Sequence, residues 1–350
     1  MNRRHFIATL PALAAARSLL AASGATKGRL GICTFSCHQH WKAVSAKHVG
    51  VKFADTLSFA RYVRELGAEG VQVPLRSQDA KVAKQIRAFT EETNSYYECE
   101  LRLPKIDADL ADFETDVRLA REAGASVARA VFTSGRRYEA FKTLADFRAF
   151  EAQVEKTLAL IEPVLRKHQL KVAIENHKDH TADELATLMK KISSEWIGVL
   201  VDTGNNLALL EDPYATMDAL APFALSVHLK DMAVQASDDG FLLSEVPLGT
   251  GMLDLPRMIT TLRKANPALV FNLEMATRDP LKVPCLTDGY WTTFPERKAT
   301  HRDAALARVE ANPPRQPVPN IAGKPVAAVL AEEEANNRHG LAWMQKHFRA

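Results

Sequence analysis

The 350-residue sequence predicts an α/β protein built as a (β/α)8 TIM barrel, with a C-terminal extension that ends in a helix. Three observations carry that prediction. Beyond residue 28, short apolar runs alternate with longer amphipathic ones, as strands alternating with helices do. Eight such pairs fit into about 245 residues, the size of a closed eight-stranded barrel, whereas an open doubly wound sheet usually has fewer strands. No GxGxxG or Walker-type loop follows the first strand, so the main reason to prefer a dinucleotide-binding sheet is missing.

In chain order the expected strands are Leu30 to Cys37, Gly70 to Leu75, Tyr96 to Leu103, Ser126 to Thr133, Leu170 to Asn176, Trp196 to Asp202, Phe223 to Lys230 and Ala268 to Met275. Continuous apolar runs such as Val172-Ala173-Ile174 and Ile197 to Val201 suit a parallel sheet buried on both faces. The clearest helices are Thr56 to Leu66, Ala80 to Thr93, Leu110 to Ala123 and Leu144 to His168, each with apolar residues three and four apart. Gly67 and Gly124 supply helix stops, and Thr181 with Glu184 forms a capping box that opens the fifth helix. After Met275 the pattern changes. Asp279 to Phe294 is rich in Pro, Thr and aromatics, Asn312 to Asn320 holds four prolines in nine residues, and Val326 to Phe348 has helical spacing, predicting a terminal helix against the barrel exterior.

The first 25 residues stand apart. Asn2-Arg3-Arg4-His5-Phe6-Ile7 precedes a weakly apolar, Ala-rich run ending in Ser23-Gly24-Ala25, the layout of a signal peptide. The paired arginines and the weak middle, with Arg17 inside it, resemble a twin-arginine signal and predict export to the periplasm. A disordered basic N-terminus is the plainer alternative. Pro11 and Arg17 break the segment as a membrane span, and no other run reaches the roughly 20 apolar residues needed. The expected division is residues 1–25 as signal, 26–278 as barrel and 279–350 as extension.

The chain has 45 basic and 42 acidic residues. Removing the leader takes three arginines and no acid, leaving a formally neutral protein. With no basic block interleaved with aromatics, binding to DNA or RNA through phosphates is not expected. Neither is membrane insertion. Cys33, Cys37, Cys99 and Cys285 contain no CxxC pair and read as buried small residues; Cys33 and Cys37, expected on one strand roughly 13 Å apart, cannot bridge. A homo-oligomer is compatible with the sequence.

In such barrels chemistry sits where strands end. The last four strands each end in a metal-ligand type: Glu175 in Val-Ala-Ile-Glu-Asn-His, Asp202 in Val-Leu-Val-Asp-Thr-Gly-Asn, His228 in Ser-Val-His-Leu-Lys-Asp and Glu274 in Phe-Asn-Leu-Glu-Met. One acid after a strand is more often a helix cap or an ion-pair partner. Three carboxylates and a histidine on one rim would repel one another unless a cation joined them. Oxygen-rich ligation with one imidazole suits a single divalent ion, Mn2+ first, with Mg2+, Co2+ or Zn2+ as alternatives.

These motifs resemble the xylose isomerase-like barrel superfamily, in its branch of sugar and sugar-phosphate isomerases and epimerases. Pro247 to Asp254, Pro-Leu-Gly-Thr-Gly-Met-Leu-Asp, resembles that branch's glycine-containing segment before the seventh helix. The resemblance covers Leu30 to Met275. It implies a metal that grips a carbonyl and a neighbouring hydroxyl of a small carbohydrate, with Glu175 and Glu274 moving the proton as in the epimerases. The Asp-x-x-His of those enzymes is Asp202-Thr-Gly-Asn205 here, and His177 is added two residues after Glu175. Relatives that cleave 3-keto-glycosides look similar in this respect.

An imidazole with an unshifted pKa near 6.5 suits proton abstraction, although a histidine just past a strand is as readily a support for a ligand. Lys230 is expected on the face of His228, to hold a substrate hydroxyl or an enolate, or simply to pair with an acid. Asn205 joins it as a substrate contact. Phe35, Trp41, Arg102, Lys105, Arg136 and Arg137 are further candidates for lining a sugar pocket. The endonuclease side of the superfamily needs extra histidines from earlier strands, which are missing. The activities to separate are therefore an isomerase or epimerase, a lyase that eliminates a group β to the carbonyl of a keto-sugar, 3-keto-glycoside or inosose, and a carbohydrate-binding barrel without chemistry.

Overall fold

The computed structural model describes residues 29–294 and 296–348; the leader expected at 1–25 lies outside them. Eleven strands are present among these: β1 (Leu30–Cys33), β2 (Gly70–Gln72), β3 (Tyr96–Glu100), β4 (Val127–Ala130), β5 (Lys171–Glu175), β6 (Ile197–Asp202), β7 (Ala224–Leu229), β8 (Asp231–Ser237), β9 (Gly240–Val246), β10 (Phe271–Leu273) and β11 (Leu281–Val283). Eight close a parallel barrel in the order β1-β10-β7-β6-β5-β4-β3-β2. All eight fall inside the expected runs. The helices Thr56–Glu65, Ala80–Glu92, Leu110–Glu122 and Leu144–His168 also match. Gly67 and Gly124 take φ values of +95° and +96°, the left-handed stop that glycine adopts without a Cβ clash, and the Thr181/Glu184 capping box forms.

Two expectations are corrected. The strand expected over Leu30 to Cys37 stops at Cys33, because Thr34–Cys37 turns into a 3-10 helix, in which Ser36 Oγ donates to Leu273 O and accepts from Met275 N–H, both at 2.8 Å. Cys33 and Cys37 therefore do not share a strand; all four cysteines are free and buried. The seventh strand is also not followed directly by its helix. An antiparallel hairpin, β8 and β9, intervenes and takes β11 on its far edge.

Register sets the site. Gln72 pairs with Glu98, Glu100 with Arg129, Asp202 with His228, and His228 with Asn272. The terminal helix Val326–Phe348 lies over the seam between β1 and β10, where both Glu333 and Asn337 are completely buried. Glu333 accepts N–H bonds from Gln39 and His40 and a third bond from His40 Nδ1, at 2.8, 3.0 and 2.6 Å. Asn337 donates to Ser36 O at 2.7 Å, and Asn336 donates to Thr277 Oγ1 at 2.9 Å. Both chain segments that flank Glu274 are thus tied to this helix. No helix among the described residues is long and apolar enough to cross a membrane.

Candidate metal centre

Glu175 ends β5, Asp202 ends β6, His228 is the penultimate residue of β7, and Glu274 follows β10. Each is buried. One ligand atom from each lies within 4.8 Å of all the others, the convergence expected from the strand ends. His228 Nδ1 is 2.5 Å from Glu274 Oε2, 3.6 Å from Glu175 Oε2 and 3.9 Å from Asp202 Oδ2.

The far side of the imidazole decides which nitrogen faces this centre. His228 Nε2 is 2.6 Å from Gln72 Oε1, and Gln72 Nε2 donates to Glu98 Oε2 at 2.8 Å. A carboxylate only accepts, so Gln72 turns its amide nitrogen to Glu98 and its oxygen to His228, and Nε2 carries the hydrogen. Nδ1 is the nitrogen that faces the carboxylates, and against burial the charges of Cys33, Glu274 and Glu175 hold the imidazole well above its ordinary pKa. Nδ1 has no hydrogen-bond partner among the described residues, and neither has Asp202 Oδ2; Lys230 Nζ stands 2.8 Å from that oxygen as an ion pair, outside hydrogen-bond angles. Two buried polar atoms without a hydrogen-bond partner, set among three carboxylate groups, fit a cation site.

The protonation pattern agrees. Burial alone would raise the Glu175 carboxyl, yet the Arg129 guanidinium, with His228 and His177 beyond it, holds it down at about 2. Against the same burial, Lys230 and His228 hold Glu274 well below the carboxylate range. Burial pushes Asp202 up in spite of Lys230, helped by the charges of Glu274 and Glu175. Three neighbouring carboxyls cannot all ionise on equal terms without more positive charge.

Lys230 is where the sequence placed it. Its ammonium lies 2.8 Å from both Asp202 Oδ2 and Glu274 Oε1, 3.6 Å from Glu245 Oε1, and donates to Asn205 Oδ1 at 3.2 Å. Asn205 in turn donates to Glu175 Oε1 at 2.9 Å. The glycine-containing segment braces this corner of the site. Asp231 accepts N–H bonds from Met232, Gly249, Gly251 and Leu253, which fixes the strand end beside Lys230. A Cβ on Gly251 would collide with the Asp231 carboxylate, so only glycine fits there.

His177 is half-buried and shares a 3.0 Å hydrogen bond between Nδ1 and Thr133 O. A carbonyl only accepts, so Nδ1 carries the hydrogen and Nε2 keeps its lone pair. The expected pKa near 6.5 is corrected. Burial pushes it down to about 4, against the pull of Glu175 and with the help of Lys178 and Arg129.

The other pocket candidates divide. Phe35, 37% exposed, stands at the mouth with the Arg129 guanidinium 5.6 Å from its ring centroid. Arg136 pairs with Glu139 at 3.0 Å. Arg137 is buried between Phe147 and Phe294 and pairs with Glu184 at 2.7 Å. Trp41 is buried against Phe53 and Phe59, with Arg76 over its ring at 4.0 Å. Arg102 and Lys105 are exposed. Trp41, Arg102, Lys105, Arg136 and Arg137 make no hydrogen bond or ion pair with the four clustered residues.

Several site residues escape a linear reading. Arg129 donates to Glu175 Oε2 at 2.6 Å and Glu100 Oε2 at 3.3 Å. Gln72 and Glu98 orient His228. Arg278 grips Glu245 with two bonds of 2.9 and 2.7 Å. Cys33 donates to Glu274 Oε2 at 3.9 Å, and Lys178 hydrogen-bonds Asn205 Oδ1. A charged or amide residue inside an otherwise apolar strand, as in Val127-Ala-Arg129-Ala130, was the available signal.

The family profile of the xylose isomerase-like TIM barrel matches residues 60–305. The chain belongs to this family. Among curated proteins, 3-oxo-isoapionate decarboxylase of Pectobacterium atrosepticum is 28% identical over 114 residues, 31% of this chain and 42% of that protein; the match thus spans less than half of the relative. Among solved structures, L-ribulose 3-epimerase superposes with a TM-score of 0.55 at 14% identity, over 92% of this chain and 95% of that one. A xylose isomerase-like barrel from Mycobacterium smegmatis in complex with magnesium gives 0.52 at 14% identity, over 81% of this chain and 99% of that one. At such identities the structural likeness speaks for the fold.

Proposed function

We propose that this protein is a divalent-metal-dependent enzyme that moves a proton at a carbon next to a carbonyl of a carbohydrate, as an isomerase or epimerase. The observation that carries the reading is the convergence of Glu175, Asp202, His228 and Glu274, with His228 Nδ1 and Asp202 Oδ2 buried and without hydrogen-bond partners. The magnesium complex of a fold neighbour supports a metal of this kind. When bound, a divalent ion supplies Lewis acidity to a carbonyl oxygen. The chain's own residues do the rest. Lys230 and Asn205 hold substrate oxygens, Arg129 and Asn205 fix Glu175, and a base at the mouth takes the proton.

A second reading, elimination by a lyase, is favoured by one feature. Both oxygens of Glu175 are committed, one to Arg129 and one to Asn205, and its low pKa makes it a poor proton acceptor. His177 is neutral with Nε2 free, and a sequence relative that is a decarboxylase supports bond cleavage beyond proton transfer. Both readings start from the same proton. Incubation of the metal-loaded protein with ketoses, inososes and 3-keto-glycosides in D2O tests them together. An epimerase places deuterium at the inverted carbon of the product, and a lyase releases water or an aglycone. Absence of exchange and turnover with stoichiometric metal bound would leave a carbohydrate-binding barrel.

Export through the twin-arginine-type leader is proposed on the sequence alone. Retention of Arg3→Lys/Arg4→Lys protein in the cytosol supports it, and unaltered export contradicts it.

A further inference from the structure

Two buried lysines share one acceptor at this site, and their surroundings are opposite. Lys230 and Lys178 both donate to Asn205 Oδ1, and Asn205 passes the contact on to Glu175 through its amide nitrogen. Lys230 has carboxylates of Asp202, Glu274 and Glu245 within 4.0 Å. Lys178, only 4% exposed, forms no ion pair among the described residues. Its backbone holds it there against preference: φ is +72° at a residue that carries a side chain, and the carbonyl accepts the Arg137 N–H at 2.9 Å. A non-glycine residue in the left-handed region is costly and is kept where the surroundings require it. An enclosed ammonium without a counter-ion carries a desolvation cost as well. Burial, with the charge of Lys230, lowers its pKa to about 8, and the charges of Asp202 and Glu245, beyond ion-pair distance, offset this only in part.

The charge balance points the same way. The carboxylates joined in this network are Glu100, Glu175, Asp202, Glu245 and Glu274, and its fixed cations are Arg129, Lys178, Lys230 and Arg278. With the five acids ionised and His228 neutral as a metal ligand, a divalent ion and the four cations leave one positive charge. Of the four cations, Lys178 is the one with no carboxylate of its own.

We propose that Lys178 takes a carboxylate of the substrate, so that the site selects an acidic carbohydrate over its neutral counterpart. The inference rests on the carbohydrate reading given above and narrows its substrate class. Lys178 and Lys230 share Asn205 Oδ1, so a carboxylate at the first and a carbonyl at the second belong to one small molecule.

The test uses the full chain, metal-free and loaded with Mn2+, and two matched pairs of probes titrated calorimetrically. D-fructose and 2-keto-D-gluconate differ at C1, and D-glucose and D-glucuronate differ at C6. In at least one pair the acid binds at least about 10-fold more tightly to wild type, the effect of one charge-assisted hydrogen bond. Lys178→Met removes that preference, while Lys178→Arg keeps part of it. Mn2+ stoichiometry stays unchanged in both variants, which shows that the site is intact. Equal binding of acid and neutral sugar in both pairs overturns the proposal, as does an acid preference that survives in Lys178→Met. If wild type takes up no Mn2+ yet shows a Lys178-dependent acid preference, the metal reading fails and the carboxylate assignment stands.

Discussion

The two halves of the barrel mouth are built on different plans. Along β5, β6, β7 and β10, the last residues present carboxylates and an imidazole straight into the centre. Along β2, β3 and β4, Gln72, Glu98, Glu100 and Arg129 stop one layer short, and Gln72 and Arg129 each hold a residue of the first half. Glu98 shows the contrast best: it is a buried carboxylate satisfied by neutral donors, Gln72, Ser226 and Asn272 at 2.8, 2.8 and 3.0 Å. Burial pushes its pKa up. In the centre, by comparison, His228 Nδ1 and Asp202 Oδ2 are left facing carboxylates. One half stores unsatisfied charge, and the other sets the geometry and protonation in which that charge is held.

This division of labour should fail most visibly at Arg129. Its guanidinium is the cation for Glu175 and Glu100, and replacing it leaves two enclosed carboxylates without that charge. Arg129→Met should cost about 3 to 5 kcal/mol of stability, measured by urea unfolding of the metal-free protein. Added Mn2+ should restore part of this loss if the ion and the guanidinium oppose the same negative charge. A variant as stable as wild type would mean that Glu175 needs no countercharge.

His177 stands between the halves, and its role decides where the proton goes. As the base of an elimination, its removal should lower kcat by roughly 10² to 10⁴-fold; as a support in a two-glutamate epimerase, roughly 10 to 100-fold. The pH profile separates these further. A base must be unprotonated, and His177 is held at about 4, so the rate should stay level between pH 7 and 5 and fall through pH 4. The acid limb should vanish in His177→Ala. A limb centred near 6.5 would contradict the burial seen here.

A smaller effect is expected at Gln72, which touches no clustered residue except His228. Gln72→Leu frees Nε2 of its acceptor and lets the imidazole change tautomer. Mn2+ affinity should fall by roughly 10 to 100-fold, with little change in the fold's stability. Unchanged affinity would show that the second half does not set the tautomer.

The convergence of the four candidate ligands was legible in the sequence because each is the residue at or near a strand end, and strand ends can be found from apolar runs. The supporting half was not. Gln72 ends β2 and Arg129 is penultimate in β4, but the expected runs extended to Leu75 and Thr133 and placed both inside a strand; nor does a linear pattern show that Gln72 and Glu98 are register partners or that Glu98 reaches Ser226 and Asn272 on other strands. The hairpin β8–β9 was missed for a related reason: Met232-Ala-Val234 continues the apolar run of β7, and the turn at Asp238-Asp239 lies inside what reads as a loop. Trp41 looked like a pocket wall because the first strand was taken past Cys33, whereas the turn at Thr34–Cys37 sends it into the aromatic cluster with Phe53 and Phe59. Lys178 lacks any pattern of its own, since its significance is that no acid among the described residues stands at ion-pair distance from it.

Both halves have their purpose only if four residues on four strands hold one divalent ion. Isothermal titration of the full chain with Mn2+, checked by elemental analysis after desalting, measures this. One ion per chain is expected in wild type, lost in Asp202→Ala and in His228→Ala while both variants remain folded by circular dichroism. Stoichiometric metal retained in both variants, or none bound by wild type, would contradict it.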